Sequence, residues 1–263
     1  MNREEVLGML RDAAEPSFKE FNDRITNCST APSLGVRVPV VRATAGVVVK
    51  NGWEEYLDEM ERTFCAAPHS GNSVSREKSP ADAASMEKQT VRFEKQIWQE
   101  EHMLWGMVIG SANMSREERT AHLDLWVPGI LSWADCDCAV SSMKFLKKEQ
   151  DYWFAYCSDW QRDGGEFPVR FSMVALMQYF IQDAYIDRAL EIFSLRGAEP
   201  YYIRMAQAWA LSVCFVKYRD KALELFASHT LDAWVQNKAI QKCRESYRVS
   251  PEDKERLKEY KMK

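Results

Sequence analysis

Trp133 and Asp137, in the run SWADCDCAV, are residues whose types and spacing could do chemistry. On an α-helix, positions four apart are neighbours on one face. The indole offers a flat apolar wall with a negative π-face, and the carboxylate is a fixed anion beside it. Together they suit a substrate that develops positive charge on a sugar ring. The plainer reading of the spacing is a tryptophan packed between helices and an aspartate in a salt bridge or cap. Asp135 lies two residues from Asp137, so on a helix the two point in different directions and do not form an acid–base pair. Cys136 and Cys138 have no histidine nearby, which argues against a metal site.

Further along the chain, Arg170 follows Pro168 near the start of the apolar run FPVRFSMVALMQYF. A half-buried arginine there needs an anion, either a protein carboxylate or a phosphate, and its planar guanidinium suits a phosphate well. Trp209 sits in YIRMAQAWALSVCF, a helix apolar nearly all round, where packing in the core is the plainer role. Lys238 and Lys242 are four apart in DAWVQNKAIQKCRESYRV, with no acidic residue expected on their stripe. With Arg244 and the polar Gln236, Asn237 and Gln241, they make a phosphate-contacting surface or an ordinary solvated helix face.

These side chains need helices to hold them, and helix is what most of the sequence spells. Val6, Leu7 and Leu10 recur at helical spacing, and Phe18, Phe21 and Ile25 continue the pattern in a second helix. Residues 35–49 are rich in valine, which favours strand. Pro39 can open a helix, however, with Val40, Val41, Thr44 and Val48 on one face, and helix is the reading taken. Trp53–Phe64 follows, with Tyr56, Leu57 and Met60 inward. Further helices are expected over 91–111, 116–127, 128–148, 149–160, 167–183, 184–196, 200–215, 217–227, 231–247 and 251–262. Ser115 with Glu118 makes a capping box, and Ser250 and Asp232 are further caps. Residues 67–90 hold five serines, two prolines and no aromatic residue, and read as a flexible insertion within one domain spanning 1–263.

No alternating strand pattern appears, and about a dozen short-linked helices suggest an all-α array. Stacked helix pairs of the HEAT type repeat at roughly 40 residues. Trp133, Arg170 and Trp209 are separated by 37 and 39 residues, which would place them at equivalent positions of successive pairs, on one side of a solenoid.

Composition sets the outer bounds. Hydrophobic residues make up 46% and charged residues 28% of 263, a globular balance that excludes a disordered chain or fibre. The longest apolar run, 171–181, falls short of a membrane span. The first twenty residues are charged and lack a signal-peptide core, so a cytoplasmic chain is expected. The seven cysteines contain no CxxC pair and read as reduced thiols. The four histidines show no metal-ligand spacing, so no metal is expected. Net charge is −4 overall, but residues 201–263 hold thirteen basic and eight acidic side chains, so a polyanion would meet the C-terminal quarter first.

Several segments together carry a resemblance: LGVRVPVVR at 34–42, MLWGMVIGSANMSREER at 103–119, LDLWVPGILSWADCDCAVSSMKFLKK at 123–148, and MAQAWALSV followed by DAWVQNKAIQKCRES. In order and spacing the chain resembles the AlkD-like DNA alkylation repair family, which are HEAT-like-repeat DNA glycosylases. The resemblance implies a helical-repeat solenoid, an α–α superhelix whose concave face binds duplex DNA carrying purines alkylated at N3 or N7. No cofactor, metal or membrane partner is expected, and a solenoid with polar end helices could be monomeric. The family's tryptophan–aspartate pair matches Trp133 and Asp137, its arginine Arg170, and its second active-site tryptophan Trp209. The aspartate would stabilise an oxocarbenium-like sugar, the indoles would hold the deoxyribose, and the arginine would steady a phosphate. Lys238, Lys242 and Arg244 would add contacts to the DNA backbone. The competing expectation is a catalytically inactive helical-repeat module that binds nucleic acid or a protein segment.

Overall fold

The computed structural model describes residues 1–26, 28, 30–65, 96–162, 164–195 and 200–263. The expected insertion at 67–90 lies outside the described residues. Among these residues the chain is all α, without β-strand, and it forms two compact units, Met1–Met143 and Lys144–Lys263. No helix among them is long and apolar enough to cross a membrane.

The first unit holds α1 (Arg3–Asp12), α2 (Pro16–Thr26), α3 (Val38–Asn51), α4 (Trp53–Phe64), α5 (Gln99–Ser111), α6 (Arg116–Trp126) and α7 (Trp133–Val140). Helix α5 is its centre, packed between α3 and α7, with α1, α4 and α6 also against it. That position explains a sequence with almost no polar face: every residue from Gln99 to Gly110 is buried. Glycine lets α7 and α6 come close. A Cβ at Gly106 would overlap the Trp126 indole and lie 2.8 Å from Ala139 Cβ.

The polar first turn of α5 is buried as well, so each group there must find a partner. Glu100 accepts three successive backbone N–H groups, from Leu34 (2.8 Å), Gly35 (2.8 Å) and Val36 (3.1 Å). Gly35 reaches this arrangement at φ +87°, where a Cβ would meet Lys19 and the Glu15 carbonyl. Arg3 donates to Glu101, and Gln99 donates to the Ala31 carbonyl at 2.9 Å. Buried Arg119 donates to the Ile109 and Ala112 carbonyls at the C-terminal end of α5, where a cation faces the negative end of the helix dipole.

Three expectations change in this unit. The stripe on α3 is Val41, Thr44, Ala45 and Val48; Val40 lies one position off it and stays exposed. Helix α2 forms as its pattern predicts, but Phe21 and Ile25 remain 46% and 41% exposed, so its apolar face is not core. Residues 128–148 are not one helix. Pro128 and Gly129 sit in a short 3-10 turn, Val127–Gly129. Ser132 then caps α7, its hydroxyl accepting from the Asp135 N–H at 3.2 Å. Helix α7 stops after eight residues, and a second 3-10 turn, Lys144–Lys147, follows.

The second unit holds α8 (Gln150–Asp159), α9 (Glu166–Tyr179), α10 (Ile186–Ser194), α11 (Tyr201–Lys217), α12 (Arg219–Ser228), α13 (Ala233–Glu245) and α14 (Pro251–Arg256). Helices α9, α11 and α13 lie side by side with α11 central, while α8 packs on α9, α10 on α9 and α11, and α12 on α11. The starts of α9, α11 and α13 advance by 35 and 32 residues, one helix pair per step within this unit. The capping residues read from the sequence act as such: Ser115, Asp232 and Ser250 each accept from a backbone N–H three residues on.

Candidate functional site

Trp133 opens α7 and Asp137 stands one turn later, both half-buried. The Trp133 indole N–H donates to the Ile25 carbonyl at 3.3 Å, which ties the ring to the end of α2. Asp137 lies beside Cys138, whose thiol is pushed up to about 11 by burial, with the Asp137 charge adding to the effect. Arg42 on α3 closes this end of the helix. It donates to the Ser141 hydroxyl at 2.8 Å and also to the Ser142 hydroxyl and the Cys138 carbonyl.

Asp135 behaves in the opposite way to Asp137, as their two-residue separation requires. It has no exposure at all. One of its oxygens lies 2.7 Å from His102 Nδ1 and accepts the Leu131 N–H at 3.0 Å. His102 is equally buried, stacked at 5.5 Å on Trp126 and edge-on to Trp105. This pair locks the start of α7 to α5. Sequence reading passed over it because the partner of Asp135 lies 33 residues away.

The remaining sequence-derived residues belong to the second unit. Arg170 is 5% exposed, and its Nη1 donates to the Tyr202 carbonyl at 2.8 Å. Glu166, one turn earlier on α9, accepts the Tyr202 N–H at 2.8 Å, so α9 holds both sides of that residue's backbone. Trp209 is half-buried, not core. It forms one wall of an open cleft of about 250 Å³ between α11 and α13, with Ser212, Val213, Lys242, Glu245, Ser246 and Arg248 among its other walls. Burial lowers the pKa of Lys242, and the nearby cations Lys238 and Arg170 lower it further. The basic side chains in the cleft wall are Lys242 and Arg248, and Lys238 stands one turn before Lys242 on α13.

The expected period does not hold. The starts of α7, α9 and α11 advance by 33 and 35 residues, whereas Trp133, Arg170 and Trp209 advance by 37 and 39. They are the first, fifth and ninth residues of their helices, each one turn further along than the last, and not equivalent positions. The stripe on α13 also differs from expectation. Glu245 shares the cleft wall with Lys242 and opposes the lowering of its pKa. Gln236 is buried and donates to the Phe226 and Tyr260 carbonyls, while Asn237 pairs with the Met262 backbone. Of the three expected polar donors, only Gln241 is exposed. Lys238 donates to it at 3.0 Å. Arg244 does not line the cleft, and its charge acts on Glu255, beyond α13.

All seven cysteines are free thiols. Among the described residues, no three His, Cys, Asp or Glu side chains gather closely enough to hold a metal ion. Comparison with protein-family models, curated proteins and solved structures finds no match. Fold and site together define an all-α protein of packed helices carrying a tryptophan-walled, cation-flanked cleft.

Proposed function

We propose that the chain is a DNA glycosylase that hydrolyses the N-glycosidic bond of purines alkylated at N3 or N7, built on a HEAT-like helical repeat. The observation that carries this reading is the Trp209 cleft itself, with Lys242 and Arg248 in its wall and Lys238 one turn before Lys242 on α13. Such a combination of cations and indole suits a nucleic-acid backbone. The half-buried Trp133 and Asp137, one turn apart on α7, support it from the first unit. A carboxylate wholly exposed or wholly enclosed would serve this chemistry poorly.

In this reading the alkylated base already carries positive charge. The C1′–N bond breaks and its electron pair leaves with the base, which becomes neutral. Asp137 stabilises the positive charge left on the sugar, and the indole face of Trp133 beside it packs on deoxyribose; Trp209 offers the indole face of the second unit. A water oxygen then bonds to C1′ and gives up a proton, for which Asp137 is the acceptor. Arg170, Lys238 and Lys242 hold backbone phosphates. Placing an anion where positive charge develops is the main source of rate in such a step.

The test is release of free 7-methylguanine or 3-methyladenine from methylated duplex DNA. Asp137→Asn should slow release about 100-fold or more with the fold unchanged. No release by the wild-type chain, or equal release by both, overturns the proposal and leaves a non-catalytic binding module. Binding should weaken steeply with salt, because the overall charge is negative and attraction comes from local cations.

A further inference from the structure

The N-terminal ends of α9, α11 and α13 carry a row of aromatic rings that base release does not use. Phe167 lies 5.6 Å from Tyr202, Tyr202 5.3 Å from Tyr201, and Tyr201 6.0 Å from Trp234. The row crosses all three helices. Tyr201 is 58% exposed, so it is not spent on the core. It meets both neighbours at steep angles, 75° and 65°, and not face to face. Arg204 lies 4.2 Å over the Trp234 ring, with Asp232 3.8 Å away.

The row does not stand alone. Trp234, Lys238 and Lys242 are successive fourth residues on α13, as Tyr201, Met205 and Trp209 are on α11. Tyr201 meets Trp234, and Trp209 shares the cleft with Lys242; both pairs are 33 residues apart. The two helices therefore run side by side in one register, and a single face extends from the aromatic row to the Trp209 cleft. Eight residues of helix separate Tyr201 from Trp209, about 12 Å along the axis. Cations punctuate that length at Arg204, Lys238 and Lys242, with Glu245 the opposing charge in the cleft wall.

The geometry points to a binding surface for single-stranded nucleic acid on this face, with Tyr201 and Trp209 stacking on unpaired bases, Lys238 and Lys242 meeting phosphates, and Trp234, covered on one face by Arg204, supporting Tyr201. Alternating flat rings and basic side chains is the pattern that unpaired strands require, since every base has a π-face and every nucleotide a charge. An acidic peptide would satisfy the cations but leave the rings unused. A duplex keeps its bases stacked on one another, out of reach of the rings. This inference shares Trp209, Lys238 and Lys242 with the base-release reading but goes beyond it, to undamaged, unpaired strands.

The experiment is fluorescence anisotropy of the full chain with labelled strands of about 12 nucleotides. The probes are oligo-dT, oligo-rU and an abasic strand of equal charge. Base-bearing strands should bind at least about 5-fold more tightly than the abasic strand. Tyr201→Ala should lose a similar factor on oligo-dT and nothing on the abasic strand. Being exposed, Tyr201 can be removed without unfolding the helix, while Trp234→Phe, which keeps a ring, should bind as wild type does. Lys238→Ala with Lys242→Ala should flatten the slope of log affinity against log salt by about 0.7 for each phosphate no longer neutralised. Equal affinity for base-bearing and abasic strands, no binding of either, or displacement by polyglutamate as readily as by oligo-dT would overturn the inference. Base release from duplex is measured separately, so either reading can fail without the other.

Discussion

Asp135 and Asp137 differ by two positions and should differ sharply in what their loss does. Replacing Asp135 with alanine removes the acceptor that now serves His102 Nδ1 at 2.7 Å and the Leu131 N–H at 3.0 Å. Both aspartate and histidine have no exposure, so water cannot replace the carboxylate. A buried donor left without an acceptor costs about 1–3 kcal/mol, and breaking a buried ionisable pair about 3–5 kcal/mol. At about 2–4 °C per kcal/mol for a chain of this size, the loss of the pair should lower the melting temperature of Asp135→Ala by about 6–20 °C. Asp135→Asn keeps the shape and one acceptor oxygen and should lie between the two. Asp137→Asn changes a half-buried side chain on the other side of the helix and should cost clearly less than Asp135→Ala. Thermal unfolding followed by tryptophan fluorescence is the assay, because Trp105 and Trp126 both pack against His102. If Asp135→Ala melts within about 2 °C of wild type, or Asp137→Asn costs as much as Asp135→Ala, the distinct roles given to the two carboxylates are wrong.

Two further outcomes follow from the same geometry. Gly106→Ala would drive a methyl group into the Trp126 indole and against Ala139 on α7. Overpacking of about 1–3 kcal/mol should exceed the gain of about 1 kcal/mol in helix propensity, giving a less stable chain by denaturant titration. The Asp253 carboxyl is held below its ordinary value by hydrogen bonds from Arg219, against the opposing effect of burial. Because its folded pKa is depressed, the stability it contributes is present above about pH 4 and is lost as pH falls through the folded value. Asp253→Asn should therefore be less stable than wild type at about pH 6, and the difference should shrink as pH is taken below about 4 in a series of thermal melts.

The sequence by itself determined most of the helices of this protein and several of the residues that cap them, though not the break ahead of α7 or its Ser132 cap. Those signals are local: Val6, Leu7 and Leu10 repeat with the helical period, and Ser115, Asp232 and Ser250 each reach a backbone N–H three residues on. It also brought out Trp133, Asp137, Arg170, Trp209, Lys238 and Lys242 by type and spacing. Only the tertiary structure decided which faces are buried. Phe21 and Ile25 lie on a regular apolar stripe that no core covers, while Glu100 and His102, polar by type, are sealed inside. Amphipathic spacing says that a face is apolar, not what packs on it. Burial of a charge depends on partners distant in sequence, as with Glu100 and the N–H groups of Leu34, Gly35 and Val36. The 37- and 39-residue spacings looked like a structural period, yet helix starts set the register and put each residue one turn further along. The pairing of Tyr201 with Trp234 and of Trp209 with Lys242 likewise needed α11 laid against α13. Side-by-side packing turns residues 33 positions apart into neighbours, which no window of local sequence contains.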